Sequence, residues 1–164
     1  MTLSKPMTAK LNAQITAEFA AAHRYLAMSC RFDRIGLKVL SLRFLNQHKE
    51  EWGHALKIVK YMLEIGATVT LDAIPKPGKD VEAPETIVSM ALEGEREVTR
   101  MIHELVALAD SEKDYPTRSF LQWFVDEQVE EESTMTDLLN LIKLAGGNML
   151  YVESRLLNMA AEKN

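Results

Sequence analysis

Residues 44–62 read FLNQHKEEWGHALKIVKYM, and the spacing within this stretch decides the fold. Apolar residues recur here at steps of three and four, which is the spacing of one face of an α-helix. Two polar residues, His48 and Glu51, interrupt that face. His54 follows Glu51 by about one turn, so both side chains point the same way. The stretch therefore predicts an amphipathic helix that carries an acid and an imidazole on its buried side.

The same interruption recurs in three further helical patterns. Glu18, Glu95 and Glu131 each fall within an otherwise apolar face, and Gln128 precedes Glu131 by three residues. A buried carboxylate is costly unless a positive group meets it. Four carboxylates that converge on one core therefore predict a bound cation. Oxygen ligands together with one imidazole favour iron or manganese over a thiolate-loving metal.

Two cations that share Glu51 as a bridge would neutralise this cluster. Glu18 and His54 would flank the bridge on one side, and Glu95 on the other. Two adjacent irons suit the reduction of O₂ or peroxide, because each iron can give one electron. Tyr25 lies on the same face as Glu18, where it could hydrogen-bond a bridging ligand or supply an electron. The alternative is a structural bundle in which the acids pair with lysine or arginine, for which the candidates are Arg24, Lys49 and Lys57.

A second acidic group lies beside the first. Glu50, Glu127 and Glu130 each come one position before a residue of the first group. They are either a solvated face or a third, weaker iron position on an exit path, and the spacing leaves both interpretations open. His48 is better explained as a hydrogen-bonding core histidine than as a ligand.

Composition limits the classes of function. The chain has 164 residues, is 47% hydrophobic and carries a net charge of −5. This predicts one domain with a real core and disfavours nucleic acid and anionic membrane as partners. Cys30 is the single cysteine, which excludes an intrachain disulfide and fits a reduced, cytoplasmic setting. We expect Cys30 to be a small buried residue, and the first residues show no apolar run typical of a secretion signal.

Glycine and proline mark the joints between predicted helices, which span 8–35, 38–65, 85–111, 114–145 and 148–161. Short first and third joints predict antiparallel pairs. The linker 67–84 is long enough to run the length of the bundle, so the third helix should start parallel to the second. We therefore expect an all-α fold and a single domain over 1–164, with a four-helix bundle over 8–145, one long crossover and a short fifth helix.

The fifth helix has its own apolar face. Its members are Met149, Val152, Leu156, Met159 and Ala160. A helix this short has little intrinsic stability and needs something to pack on. Another subunit is the expected partner.

Four segments together resemble the ferritins in order and spacing, and most closely the non-haem bacterial ferritins. They are LNAQITAEF (11–19), HKEEWGHA (48–55), EGEREVT (93–99) and QWFVDEQVEEE (122–132). The resemblance covers nearly the whole chain. It implies a ferroxidase centre, with two irons per subunit and a possible third site. The implied first site is Glu18, Glu51 and His54; the second is Glu51, Glu95 and Glu131 with Gln128 beside it; the third is Glu50, Glu127, Glu130 and Glu131.

The resemblance also implies a function. A ferritin oxidises Fe(II) with O₂ or H₂O₂ and stores the mineral in a hollow cage of 24 subunits, where the short fifth helices line fourfold axes. Tyr25 and Trp123 match aromatic residues near the diiron centre. Bacterioferritins carry a haem-binding methionine where this chain has Trp52, so we expect no haem. The alternative function is a small diiron oxidoreductase that reduces peroxide and builds no cage.

Overall fold

The computed structural model describes residues 3–161. Within that range the chain is helical with no strand, which confirms the predicted all-α fold. The elements are α1 Lys5–Arg34, α2 Lys38–Glu64, α3 Pro84–Glu112, α4 Tyr115–Leu144 and α5 Met149–Ala161. Helix α1 begins three residues earlier than expected, because Ser4 caps it and Pro6 fits its first turn.

The helix ends follow local chemistry. The Ser4 hydroxyl accepts a hydrogen bond from the Met7 N–H at 3.1 Å, and the Asp114 carboxylate accepts one from the Thr117 N–H at 3.1 Å. Gly36 ends the turn after α1 at a φ of +85°, in the left-handed region that favours glycine. Capping side chains thus begin α1 and α4, and a glycine turn follows α1.

Side-chain contacts give the helix directions. His48 and Ser41 of α2 meet Ala22 and Ser29 of α1, so the two helices run antiparallel. Along α1 and α3 the contacts also run in opposite order, since Lys10 meets Glu104 whereas Tyr25 meets Glu95. Because α2 and α3 both oppose α1, they are parallel to each other, which is the predicted crossover topology.

The linker between α2 and α3 runs along α1. The Asn12 side chain holds its first part, donating to the Thr68 carbonyl at 3.0 Å and accepting from the Thr70 N–H at 2.7 Å. Arg31 holds its last part through an ion pair of 2.9 Å with Asp80. At about 1.5 Å per helical residue, Asn12 and Arg31 are roughly 30 Å apart. The linker therefore crosses most of the length of the bundle.

Two apolar clusters of buried residues lie at opposite ends of the described bundle. One contains Phe32, Phe44 and Leu138, and the other contains Met7, Ile102 and Phe124. Each of the four long helices contributes to both clusters and changes from one to the other near its polar residues. The apolar clusters thus leave a polar layer across the middle of the bundle.

Helix α5 packs on the bundle of its own chain. Val152 and Leu156 belong to the apolar cluster that contains Phe32 and Phe44. The Glu153 carboxylate accepts from the N–H groups of Val39 and Leu40 at 2.9 and 2.8 Å, and so caps the start of α2. The expectation that α5 needs a partner holds in part, because one face is covered from within the subunit.

Cys30 is exposed, so the prediction of a buried cysteine is wrong. Met28, Ser29 and Phe32 occupy the buried side of α1, and the 100° turn per residue directs Cys30 away from it. Among residues 3–161, no helix is both long enough and apolar enough to cross a membrane.

Candidate metal centre

Four carboxylates lie in the polar layer, one from each long helix. Glu18 and Glu51 are each 1% exposed, Glu95 is 2% exposed and Glu131 is 5% exposed. Each lies on the buried face of its helix, which is apolar toward both ends. Close to the acids that face is polar, since Gln14, Gln47 and Gln128 each stand three or four residues before one of them. The structure thus brings together the four acids that the sequence singled out.

Their ligand atoms form overlapping groups. Within the described residues, each group offers one atom per residue, and the atoms of a group lie within 4.8 Å of one another. The groups are Glu18 with Glu51 and His54, Glu51 with Glu95 and Glu131, and His54 with Glu127 and Glu131. Glu51 belongs to the first two, so one carboxylate separates two positions that could each hold a cation.

His54 faces two carboxylates with its two ring nitrogens. Its Nδ1 atom is 3.4 Å from Glu51 Oε2, and its Nε2 atom is 3.8 Å from Glu127 Oε1. A metal held by Nδ1 would leave Nε2–H directed toward Glu127. An outer carboxylate of this kind fixes the orientation of a ligating imidazole.

Neutral side chains hold three of the carboxylates. The Gln14 amide donates to Glu18 Oε1 at 2.8 Å, and the Gln47 amide donates to Glu131 Oε2 at 2.7 Å. Glu95 accepts from the Tyr25 hydroxyl and, at 3.3 Å, from the Gln128 amide. Gln14 and Gln47 each occupy one oxygen of a carboxylate and fix the direction of the other, whereas both oxygens of Glu95 accept hydrogen bonds.

Burial dominates the electrostatics of the centre. It raises the pKa of Glu18 well above the ordinary value, and the neighbouring Glu51 raises it further. Burial likewise raises the pKa of Glu51 well above its ordinary value and raises that of Glu131 to about 7. The pKa of Glu95 is also raised by burial, although the hydrogen bonds from Tyr25 and Gln128 oppose the shift. Without a cation, these carboxyls therefore tend to keep their protons.

Lysine and arginine form no ion pair with the four acids in the described part of the chain. Lys57 instead lies 3.8 Å from the ring centroid of Trp123. In the same part of the chain, Glu18 Oε2 and Glu51 Oε1 are buried without a hydrogen-bond partner. These orphaned oxygens fit a cation, which disfavours a purely structural bundle.

The second acidic group is less compact. Glu127 is half-buried and joins His54 and Glu131, whereas Glu50 and Glu130 are exposed. Among the described residues, Glu50 and Glu130 enter none of the three-residue groups. Their role as ligands of a third iron stays a prediction.

One tryptophan and one further histidine border the centre. Trp123 packs edge-on against His54, with 5.3 Å between ring centroids. His48 is half-buried, and its Nδ1 atom lies 2.9 Å from the Ala22 carbonyl oxygen. This contact agrees with a hydrogen-bonding histidine rather than a ligand.

Sequence reasoning missed Gln14 and Gln47. Both are buried, and each stands four residues before an acid of the centre on its own helix. That spacing was an available signal for Gln14, which contacts the acid one turn on. Gln47 instead contacts Glu131 of another helix, and no local pattern reports that pairing.

Comparison with known proteins agrees with this architecture. The family model described as a ferritin-like domain matches residues 8–145. The bacterial non-heme ferritin of Staphylococcus epidermidis is 38% identical over 152 residues, covering 92% of each chain. The chain belongs to the ferritin family. Ferritin BfrB of Mycolicibacterium smegmatis is 35% identical over 157 residues, which cover 93% of this chain and 87% of BfrB.

Solved structures of ferritins share the fold. The open pore ferritin of the hyperthermophilic archaeon Archaeoglobus fulgidus superposes with a TM-score of 0.91 at 39% identity. The superposition covers 94% of this chain and 96% of that chain. The fold and family expected from the four sequence segments are therefore confirmed. In this ferritin, the matched residues 8–145 include all four buried carboxylates.

Proposed function

We propose that this protein is a ferroxidase, which binds Fe(II) at the buried carboxylates and oxidises it to Fe(III) with O₂ or H₂O₂. Storage of iron follows from its membership of the ferritin family. The observation that carries the proposal is the overlap of two buried ligand groups on Glu51. Such an overlap suits two adjacent cations, and two Fe(II) ions supply the two electrons that either oxidant takes up.

The ligand assignment follows the two groups. Glu18, Glu51 and His54 hold the first iron, whereas Glu51, Glu95 and Glu131 hold the second. The four carboxylates together carry four negative charges, which balance two Fe(II) ions. Because burial keeps protons on these carboxyls, iron binds by displacing the protons.

The neighbouring side chains orient these ligands. Burial and the adjacent Glu95 raise the pKa of Tyr25 well above its ordinary value. The Tyr25 hydroxyl therefore stays protonated and donates a hydrogen bond to Glu95. Gln128 supports the same carboxylate. In the reaction, two Fe(II) ions give two electrons, which with two protons reduce O₂ to H₂O₂ or H₂O₂ to two waters. The protein fixes geometry and charge, and iron supplies the electrons.

We further propose a third, weaker iron position formed by Glu127 and Glu131 with Glu50 and Glu130. Support comes from Glu127, which shares a ligand group with His54 and Glu131. The exposure of Glu50 and Glu130 suits transient binding of iron that leaves the centre for the mineral.

We propose a homo-oligomeric, cytoplasmic cage of 24 subunits without haem, in which each chain is a single domain over 1–164. Support comes from apolar side chains that one subunit leaves in water, among them Leu144 at 87% exposure and Leu150 at 81%. Gel filtration tests the cage. A species near the monomer or dimer mass would instead favour the small oxidoreductase.

Replacing Glu51 with alanine tests the ferroxidase centre. We expect Glu51→Ala to lower the initial rate of Fe(II) oxidation by more than about 100-fold, because both iron positions lose a ligand. Stopped-flow absorption at two Fe(II) per subunit measures this rate. Glu64→Ala, at an exposed position on the same helix, is the matched control. An unchanged rate in Glu51→Ala would refute the bridging role.

A further inference from the structure

We infer that Arg24 is a positioning residue of the carboxylate centre. It places a fixed positive charge against Gly94, the residue that precedes Glu95. Acting across Glu95, it weakens the hold on the second cation and favours departure of Fe(III). This inference rests on the proposed ferroxidase function, because it concerns the same centre.

Gly94 provides the space for the Arg24 side chain. A Cβ atom on Gly94 would lie 3.4 Å from Arg24 Nη2 and 3.7 Å from Arg24 Nε. The guanidinium of α1 therefore lies against Gly94 of α3, where alanine would fit and a larger side chain would compete for the same space.

The residues that follow Arg24 and Gly94 in the sequence both belong to the centre. Arg24 precedes Tyr25, and Gly94 precedes Glu95, while the Tyr25 hydroxyl donates to Glu95. The guanidinium thus lies beside the point where α1 and α3 meet at the metal ligands. Burial raises the pKa of both Glu51 and Glu95, and the charge of Arg24 is among the smaller influences that lower it, which agrees with this placement.

Arg24 forms no ion pair in the described part of the chain. Glu97, further along α3, pairs with Arg100, although the charge of Arg24 also helps to lower the pKa of Glu97. Arg24 is also half-buried. A guanidinium is charged at every working pH. A charge that forms no ion pair and is partly removed from water acts on its surroundings more strongly than a paired surface charge.

The physical consequence depends on the charge of the ion. Repulsion from Arg24 grows with cation charge, so it destabilises bound Fe(III) more than bound Fe(II). The residue thus disfavours retention of the product more than binding of the substrate. For a protein that passes iron on to a mineral, this bias promotes turnover at the second position.

Anaerobic titration with Co²⁺, followed by visible absorption, tests the inference on the assembled protein at pH 8. We expect the second Co²⁺ to bind about tenfold more tightly in Arg24→Met, because one repulsive charge is removed. Arg24→Lys keeps the charge and should stay close to the wild type. Arg34→Met is the matched control, since it removes an exposed charge from the same helix.

The variant Gly94→Leu keeps the charge but fills the space that the Arg24 guanidinium occupies. Its affinity for the second Co²⁺ should therefore rise as in Arg24→Met. An affinity in Arg24→Met that is unchanged or weaker would overturn the inference. If that variant does not fold, Arg24→Gln makes the same comparison. If the wild type binds no Co²⁺ at the centre, the proposed function itself is wrong. If the wild type binds two Co²⁺ and Arg24→Met binds them with the same affinities, only the role of Arg24 is wrong.

Discussion

Glu18 and Glu131 each have one oxygen held by a buried glutamine. Gln14 serves Glu18 and Gln47 serves Glu131, at 2.8 and 2.7 Å respectively. The other oxygen of Glu18 is buried without a hydrogen-bond partner among residues 3–161. A carboxylate held in this way presents its free oxygen in a fixed direction, which is the role of an outer partner in a metal site.

The two glutamines are expected to act on different metal positions. Gln14→Leu should weaken the first position about tenfold and leave the second nearly unchanged, because Glu18 belongs to the first group alone. Gln47→Leu should do the reverse through Glu131. Anaerobic Co²⁺ titration of both variants measures the two affinities, and each variant is the control for the other. Equal weakening of both positions by either variant would contradict this division.

Acids of the centre could be predicted from sequence, because each one breaks an apolar face locally. Their partners could be predicted only in part. Gln47 and Glu131 are 84 residues apart, and Arg24 meets Gly94 across two helices. Such pairings depend on how helices pack, which no single periodic pattern contains.

At the scale of the helix, Glu153 of α5 caps α2. Helix α2 has no side-chain cap of its own, since Leu37 stands at its N-cap position. A carboxylate at a helix N-terminus satisfies free N–H groups and interacts favourably with the helix dipole. The short helix α5 therefore contributes to the stability of a long helix more than 100 residues earlier in the chain.

Glu153→Ala is expected to destabilise the protein by about 1–2 kcal/mol, because two N–H groups of α2 lose their acceptor. Hydrogen exchange at Val39 and Leu40 should accelerate, and exchange in the middle of α2 should not. Glu153→Gln should keep part of the protection. Asn158→Ala is the control at an exposed position of α5. Protection that persists in Glu153→Ala would mean that α5 does not hold the start of α2.

Helix existence and order were predictable because glycine, proline and the 3.6-residue period are local signals. The helix bounds shifted by a few residues, as at Ser4, where a capping hydroxyl extends α1. The surface covered by α5 was not predictable. Its apolar face indicates that α5 packs on something, but only the arrangement of the bundle places that face on α2 and α4 of its own chain.

For the whole molecule, a polar layer between two apolar clusters works against stability until a cation enters. Each cluster buries apolar surface and favours folding. The layer between them holds carboxyls that burial makes costly to ionise. Metal binding and stability are therefore coupled, because a ligand that binds the folded state stabilises it.

This coupling has a definite dependence on pH. The pKa of Glu131 is about 7 in the folded protein, against an ordinary value of 4.5. Between these two pH values the folded state holds a proton that the unfolded state has lost. The contribution of Glu131 to the free energy of unfolding is therefore fully present below pH 4.5 and is lost as pH rises through about 7. For Glu131 alone, the loss by pH 8 is on the order of 3 kcal/mol at most. Glu18 and Glu51 shift in the same direction.

Thermal unfolding of chelator-treated protein between pH 5 and pH 8 tests this expectation. The unfolding temperature should fall as pH rises, and Zn²⁺ should restore it most at pH 8, where fewer protons compete for the carboxylates. Glu131→Gln should flatten the fall, because the amide does not ionise and can still accept from Gln47. A metal-free protein whose unfolding temperature rises over this range would show that the carboxyls are ionised and satisfied without a cation, and the coupling of iron to stability would be wrong.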